Sequence, residues 1–141
     1  MSKKILIFSF VVVAAVAAAC GSGSNDAVAG KTIKSGPAGN NLTATISNAD
    51  GVLRKGKQEF TLIFTDASGK PVDVGSVALN YRMAAMGGMS EMNSGTTFTT
   101  TGTPGVYHGK ASIEMAGEWQ AQITYEGAAG KGSFTLPIIA K

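Results

Sequence analysis

The chain has 141 residues, with 12 Lys and Arg against 9 Asp and Glu, for a formal net charge of +3. That length holds one domain of ordinary size, and so thin a charge excess lacks the dense basic face that a nucleic-acid partner requires. A single cysteine rules out an intrachain disulfide, so apolar packing must hold the fold, and 44% hydrophobic residues supply it.

At the start, Lys3 and Lys4 precede an uncharged run from Ile5 to Ala19, followed at once by Cys20-Gly21-Ser22. Fifteen residues are too few to cross a bilayer as a helix, which takes about 20, but they suit a secretory apolar region. Ala17-Ala18-Ala19-Cys20 resembles the lipobox of bacterial lipoproteins, departing from it in having Ala17 where the family usually has leucine. The resemblance implies that residues 1–19 are a lipoprotein signal peptide. Cys20 would then be the lipidated first residue of the mature chain, held on the extracytoplasmic face of a bacterial membrane. An ordinary cleaved signal with an incidental cysteine is the other reading. Without residues 1–19 the balance is 10 basic to 9 acidic side chains, so much of the positive charge belongs to the leader.

Residues 20–40 are rich in Gly, Ser, Ala and Asn, and read as a flexible tether, with residues 41–141 as the domain. Part of that stretch, Lys31–Ser35, could instead pair as an edge strand. From Leu42 onward the pattern is that of strands. Leu42–Ile46 alternates, and Phe60, Leu62 and Phe64 alternate with Thr61, Ile63 and Thr65. Asp66-Ala67-Ser68-Gly69-Lys70-Pro71 carries the residues of a turn. Val77, Leu79 and Tyr81 lead into Met83-Ala84-Ala85-Met86-Gly87-Gly88-Met89-Ser90-Glu91-Met92. Thr96–Thr101, Val106–Met115, Glu118–Glu126 and Lys131–Ile139 follow, separated by glycine-bearing turns.

About seven short strands with turns every 8–12 residues predict an all-β fold, an immunoglobulin-like β-sandwich. The expected core is Phe60, Leu62, Phe64, Val77, Leu79, Tyr107, Ile113, Trp119, Ile123, Phe134, Leu136 and Ile138. Tyr107, just past Pro104-Gly105, is placed to form a tyrosine corner by bonding back across its own turn.

The order of these pieces resembles the YtkA-like domain, a family related to the periplasmic part of FixH-type proteins. The resemblance rests on Phe60–Asp66 followed by Gly69-Lys70-Pro71-Val72, on Val77–Tyr81 entering Met83–Met92, on Pro104-Gly105-Val106-Tyr107, and on Met115-Ala116-Gly117-Glu118-Trp119. It covers Leu42 to the C-terminus and implies a small extracytoplasmic lipoprotein with a sandwich fold. It also implies a link to copper handling or respiratory-oxidase assembly, with an envelope or oxidase client as partner.

The four methionines at every third position fit neither a helical stripe nor one face of a strand, so an irregular loop that gathers thioethers is expected. Thioethers are soft, neutral donors that suit Cu(I), which makes Met86, Met89 and Met92 the first candidate ligands, with Met83 a fourth. Met83 also continues the Val77–Leu79–Tyr81 parity and so competes for a place in the core. Flexible methionines that fill gaps or present an adaptable apolar surface are the alternative reading. His108 is the sole histidine, which excludes a multi-histidine zinc or Cu(II) site. Its strand parity points it to solvent, so it is a weak additional ligand. Met115 and Trp119 read as core residues first, although an indole face could cover a Cu(I) ion. Scattered carboxylates, no nucleophile motif and no phosphate loop argue against an enzyme. The two surviving classes are a lipid-anchored Cu(I) carrier and a metal-free module that docks another envelope protein.

Overall fold

Alternation of side chains decides the architecture. In the computed structural model, which describes residues 30–141, nine strands follow one another. They are β1 (Lys31–Gly39), β2 (Leu42–Asn48), β3 (Gly56–Thr65), β4 (Ser76–Met83), β5 (Met92–Gly95), β6 (Thr97–Thr100), β7 (Val106–Ile113), β8 (Gly117–Gly127) and β9 (Gly130–Ala140). One sheet has the order β1-β2-β3-β7-β6 and the other β5-β4-β8-β9, with every neighbouring pair antiparallel. With β1 set aside, β2 to β9 take the places of strands A, B, C, C′, D, E, F and G of an immunoglobulin-like sandwich. The expected sandwich is therefore present, with two strands more than the seven anticipated. The signal segment 1–19, Cys20 and residues 21–29 lie outside the described residues.

The first extra strand corrects the domain boundary. Residues 31–39 were read as tether, yet they pair with β2 from Lys31↔Asn48 to Gly39↔Leu42. Asn40 and Asn41 have φ of 51° and 59°, the two positive values that a type I′ hairpin turn demands. Pro37 is tolerated because β1 is an edge strand, where a missing N–H breaks no inner ladder. The second extra strand, β5, arises from the methionine segment itself.

Between the sheets lies one apolar core, built among the described residues from residues 38–140 with Ile33 of β1 packed against it, so residues 30–141 carry a core of their own. Ten of the twelve expected core residues are buried in it, while Val77 and Phe134 are half-buried and pack against it. Aromatic edges interlock across the layers: Phe60 meets Tyr81 at 5.8 Å and Phe64 meets Tyr125 at 5.3 Å between ring centroids. Two tyrosine hydroxyls pin loops to this core. Tyr107 donates to the carbonyl of Gly75 at 3.0 Å, so it clasps the β3–β4 connection instead of its own turn as a tyrosine corner would. Tyr125 donates to the carbonyl of Ala38 at 2.9 Å and accepts from the Asn40 amide at 2.9 Å.

Strand directions give the sandwich two unlike ends. The start of β1, the end of β4, the start of β8 and the end of β9 all fall at one pole, as Arg82↔Gln120 and Gly117↔Ala140 show. The loop after β2 closes on the same pole, where Leu53 bridges Ala140 and Lys55 donates to the Lys141 carbonyl at 3.0 Å. Residues 1–29 therefore join the domain at the end that carries the methionines.

Candidate methionine site

Strands β4 and β5 pair as Asn80↔Gly95, Tyr81↔Ser94, Arg82↔Asn93 and Met83↔Met92. Beyond them Met86 and Met89 bridge in the same register, the Met86 N–H donating to Met89 at 3.2 Å and the Met89 N–H to Met86 at 2.8 Å. Gly87 takes φ of 54° and Gly88 does not turn positive, the pattern of a two-residue type II′ turn. The expected irregular loop is thus a tight hairpin centred on Gly87-Gly88. Its mirror symmetry turns a spacing of three along the chain into two cross-strand pairs.

Those pairs have different environments. Met83 is 2% exposed and belongs to the core, and its partner Met92 is half-buried against that core. Met86 and Met89 are 58% and 47% exposed at the tip. Convergence of all four thioethers is therefore not what the fold provides: the inner pair packs on the core, and only the outer pair stands fully out in solvent. Directly opposed residues in a hydrogen-bonded pair have Cα atoms about 5.5 Å apart, close enough for two long side chains to reach one point.

Charged and amide groups brace the hairpin from outside. The Arg82 guanidinium donates to the Glu91 carboxylate at 2.6 Å, and the Asn93 amide donates to the same carboxylate at 3.0 Å. Both hydrogen bonds, with the arginine's the larger effect, hold the Glu91 carboxyl below the usual range. The Asn80 amide continues the chain to Asn93 at 2.9 Å.

Behind the tip is a hollow of about 520 Å³ between the sheets' edges, with Ile33, Leu53, Met83, Met86, Trp119 and Ile139 in its lining. Trp119 is 1% exposed, and its ring N–H donates to the Met115 carbonyl at 3.0 Å, so both residues serve the interior. Ile139, 60% exposed on β9, escaped the sequence reading because it was taken only as the end of an alternating strand. Its odd parity beside Ile138 was the available signal.

His108 stands elsewhere. It lies on β7 of the five-stranded sheet, between Thr61 and Thr99, with its Nε2 3.8 Å from a Glu59 oxygen. It lines a separate hollow with Glu59, Thr61 and Asn48, so the fold does not bring it to the methionines. Among the described residues no three His, Cys, Asp or Glu side chains gather into a metal-binding group.

Two antiparallel sheets packed face to face, with an apolar hairpin tip and an adjoining hollow at one end, define an all-β domain of the immunoglobulin-like class. A model of the YtkA-like family matches residues 38–124, from the end of β1 into β8, and so includes the whole hairpin. The chain belongs to the YtkA-like family. A search among curated proteins found no significant match.

Proposed function

We propose that the protein is a lipid-anchored extracytoplasmic binding module that carries Cu(I) at Met86 and Met89 for delivery or buffering. The observation that carries this reading is the reciprocal hydrogen-bonded pairing of those two residues at an exposed tip. Two neutral thioethers suit a soft monovalent ion and leave its coordination open, so a client can supply further donors and take the ion over. Met83 and Met92 support the hairpin from the core side, and His108 has no part in the site. Cys20 would bear the acyl chains, and the ten residues after it reach at most about 35 Å to Gly30. Binding, with no chemical step, is the whole of this role.

Titration of residues 30–141 with Cu(I) against a bicinchoninate competitor tests the proposal. Met86→Leu/Met89→Leu should abolish competition while Met92→Leu leaves it largely intact, since leucine keeps the bulk and removes the sulfur. Equal competition by parent and double variant would end the copper reading. For the anchor, Cys20→Ser should abolish incorporation of labelled palmitate in cells, and retained label would refute it.

A second reading has its own observation. Ile139 and Met86 are exposed on the rim of one hollow that is mostly apolar, with Lys34, Arg82, Glu118 and Lys141 also in its lining, which suits metal-free docking of an envelope protein such as an oxidase subunit. Failure of the copper titration, with client capture lost in Met86→Ser/Ile139→Ser, would favour it.

A further inference from the structure

All three large hydrophobic side chains that stand exposed among the described residues, Met86, Met89 and Ile139, lie at one pole. The same pole is rich in cations. Arg54 is paired with Asp50 at 2.8 Å and Arg82 with Glu91 at 2.6 Å. Glu59, exposed two residues beyond Lys57 on β3, is taken by Lys110 at 3.0 Å, and once these pairs are set aside Lys31, Lys34, Lys55, Lys57 and Lys141 remain among the described residues against the side chains of Glu114 and Glu118. The opposite pole has Asp66, Asp73 and Glu126 against Lys70 and Lys131, and no large exposed hydrophobic residue. Apolar side chains sharing a pole with lysines that have no ion-pair partner among the described residues match the boundary layer of an anionic bilayer, where headgroups attract the cations and the acyl region takes the apolar tips.

We infer that this pole is a membrane-binding face, which lays the methionine tip and Ile139 against anionic phospholipid and so fixes the orientation of the domain. The point where residues 1–29 join, Gly30 beside Lys31, is on that face, so a chain held to the membrane upstream would present it inward. Lipid contact here needs neither bound copper nor an acylated cysteine. It does set their consequences: a carrier site at Met86 and Met89 would open toward membrane-embedded clients and away from diffusing ones.

Co-sedimentation of residues 30–141 with phosphatidylglycerol–phosphatidylcholine vesicles, and with phosphatidylcholine alone, tests this without anchor or metal. Binding to the anionic vesicles should exceed that to neutral ones and fall steeply with added salt. Lys31→Gln and Lys55→Gln should each weaken it about fivefold. Met86→Ser/Met89→Ser/Ile139→Ser, all at exposed positions, should remove most of the remainder. Lys70→Glu/Lys131→Glu at the far pole is the control and should change little. Equal binding to both vesicle types, full binding by the serine variant, or an equal loss in the far-pole control would overturn the inference. Sedimentation with native membranes but not with pure lipid would overturn it too, and would assign the pole to a membrane protein. The copper titration reads a different quantity, so either idea can fail without the other.

Discussion

The Tyr125 hydroxyl sits 2.9 Å from the Ala38 carbonyl and ties β8 in one sheet to the end of β1 in the other. Tyr81 presents the opposite case. Its hydroxyl is buried beside Phe60 and finds no partner among the described residues, and burial pushes its pKa well up. Removing a bonded buried hydroxyl costs about 1–2 kcal/mol, because its partner is left unpaired, whereas removing an unpartnered one relieves desolvation. Urea denaturation should show Tyr125→Phe destabilised by about that amount and Tyr81→Phe unchanged or stabilised by up to about 1 kcal/mol. A clear loss in Tyr81→Phe would mean that its hydroxyl is hydrogen-bonded after all.

The two methionine pairs should separate in a stability series. Met83→Ala empties core volume next to Gly117, toward which the Met83 methyl points, and should cost about 2–5 kcal/mol. Met86→Ala removes an exposed chain and should stay within about 0.5 kcal/mol. Equal costs in thermal melts would contradict the division of the four into packing and exposed pairs.

Turn chemistry at the tip is also testable. Gly87 has positive φ with open space around it, so Gly87→Ala is opposed by backbone strain alone, about 1–2 kcal/mol locally. Gly88 carries no such demand, and Gly88→Ala should be neutral or slightly stabilising. Hydrogen exchange at the Met86 and Met89 amides should quicken in the first variant only.

Acid should loosen the fold from its surface. The Ser68 hydroxyl, then the Lys70 and Ser68 amides, hold the Asp66 carboxyl below the usual range, as Arg82 does for Glu91 and Lys110 for Glu59. A carboxylate lowered on folding contributes stability above its unfolded pKa of about 4 and loses it as pH falls through the folded value. The melting temperature should therefore be flat near neutrality and decline below about pH 4, with a shallower decline in Asp66→Asn. A decline already complete by pH 5 would point to other groups.

Much of the sandwich could be read from the residues, because Val77–Tyr81 and Glu118–Glu126 alternate with one face in the core, and Phe60–Thr65 does so except at Ile63, which is buried on the opposite face. β1 was hidden by its composition. Gly, Pro and Ser suggested tether, while the informative signal was Asn40-Asn41, a turn pair able to hold two positive φ values. Tyr107 was correctly placed inside, but its partner lies in a loop distant in sequence, which local spacing does not encode. The methionine segment misled for a related reason. A repeat of three was weighed against single helices and strands, when its symmetry about Gly87-Gly88 is that of a hairpin, whose partners are read across the turn.

The closing of β9 onto the loop after β2 has a practical corollary. Because Lys141 hydrogen-bonds to Leu53 and lines the hollow with Met86, anything fused after it emerges at the methionine tip. A polyhistidine purification handle there would place imidazoles next to the thioethers and cations next to the apolar tip, so chelation by the handle would pass for chelation by the protein. Preparations for metal or lipid assays should have such a handle cleaved off first.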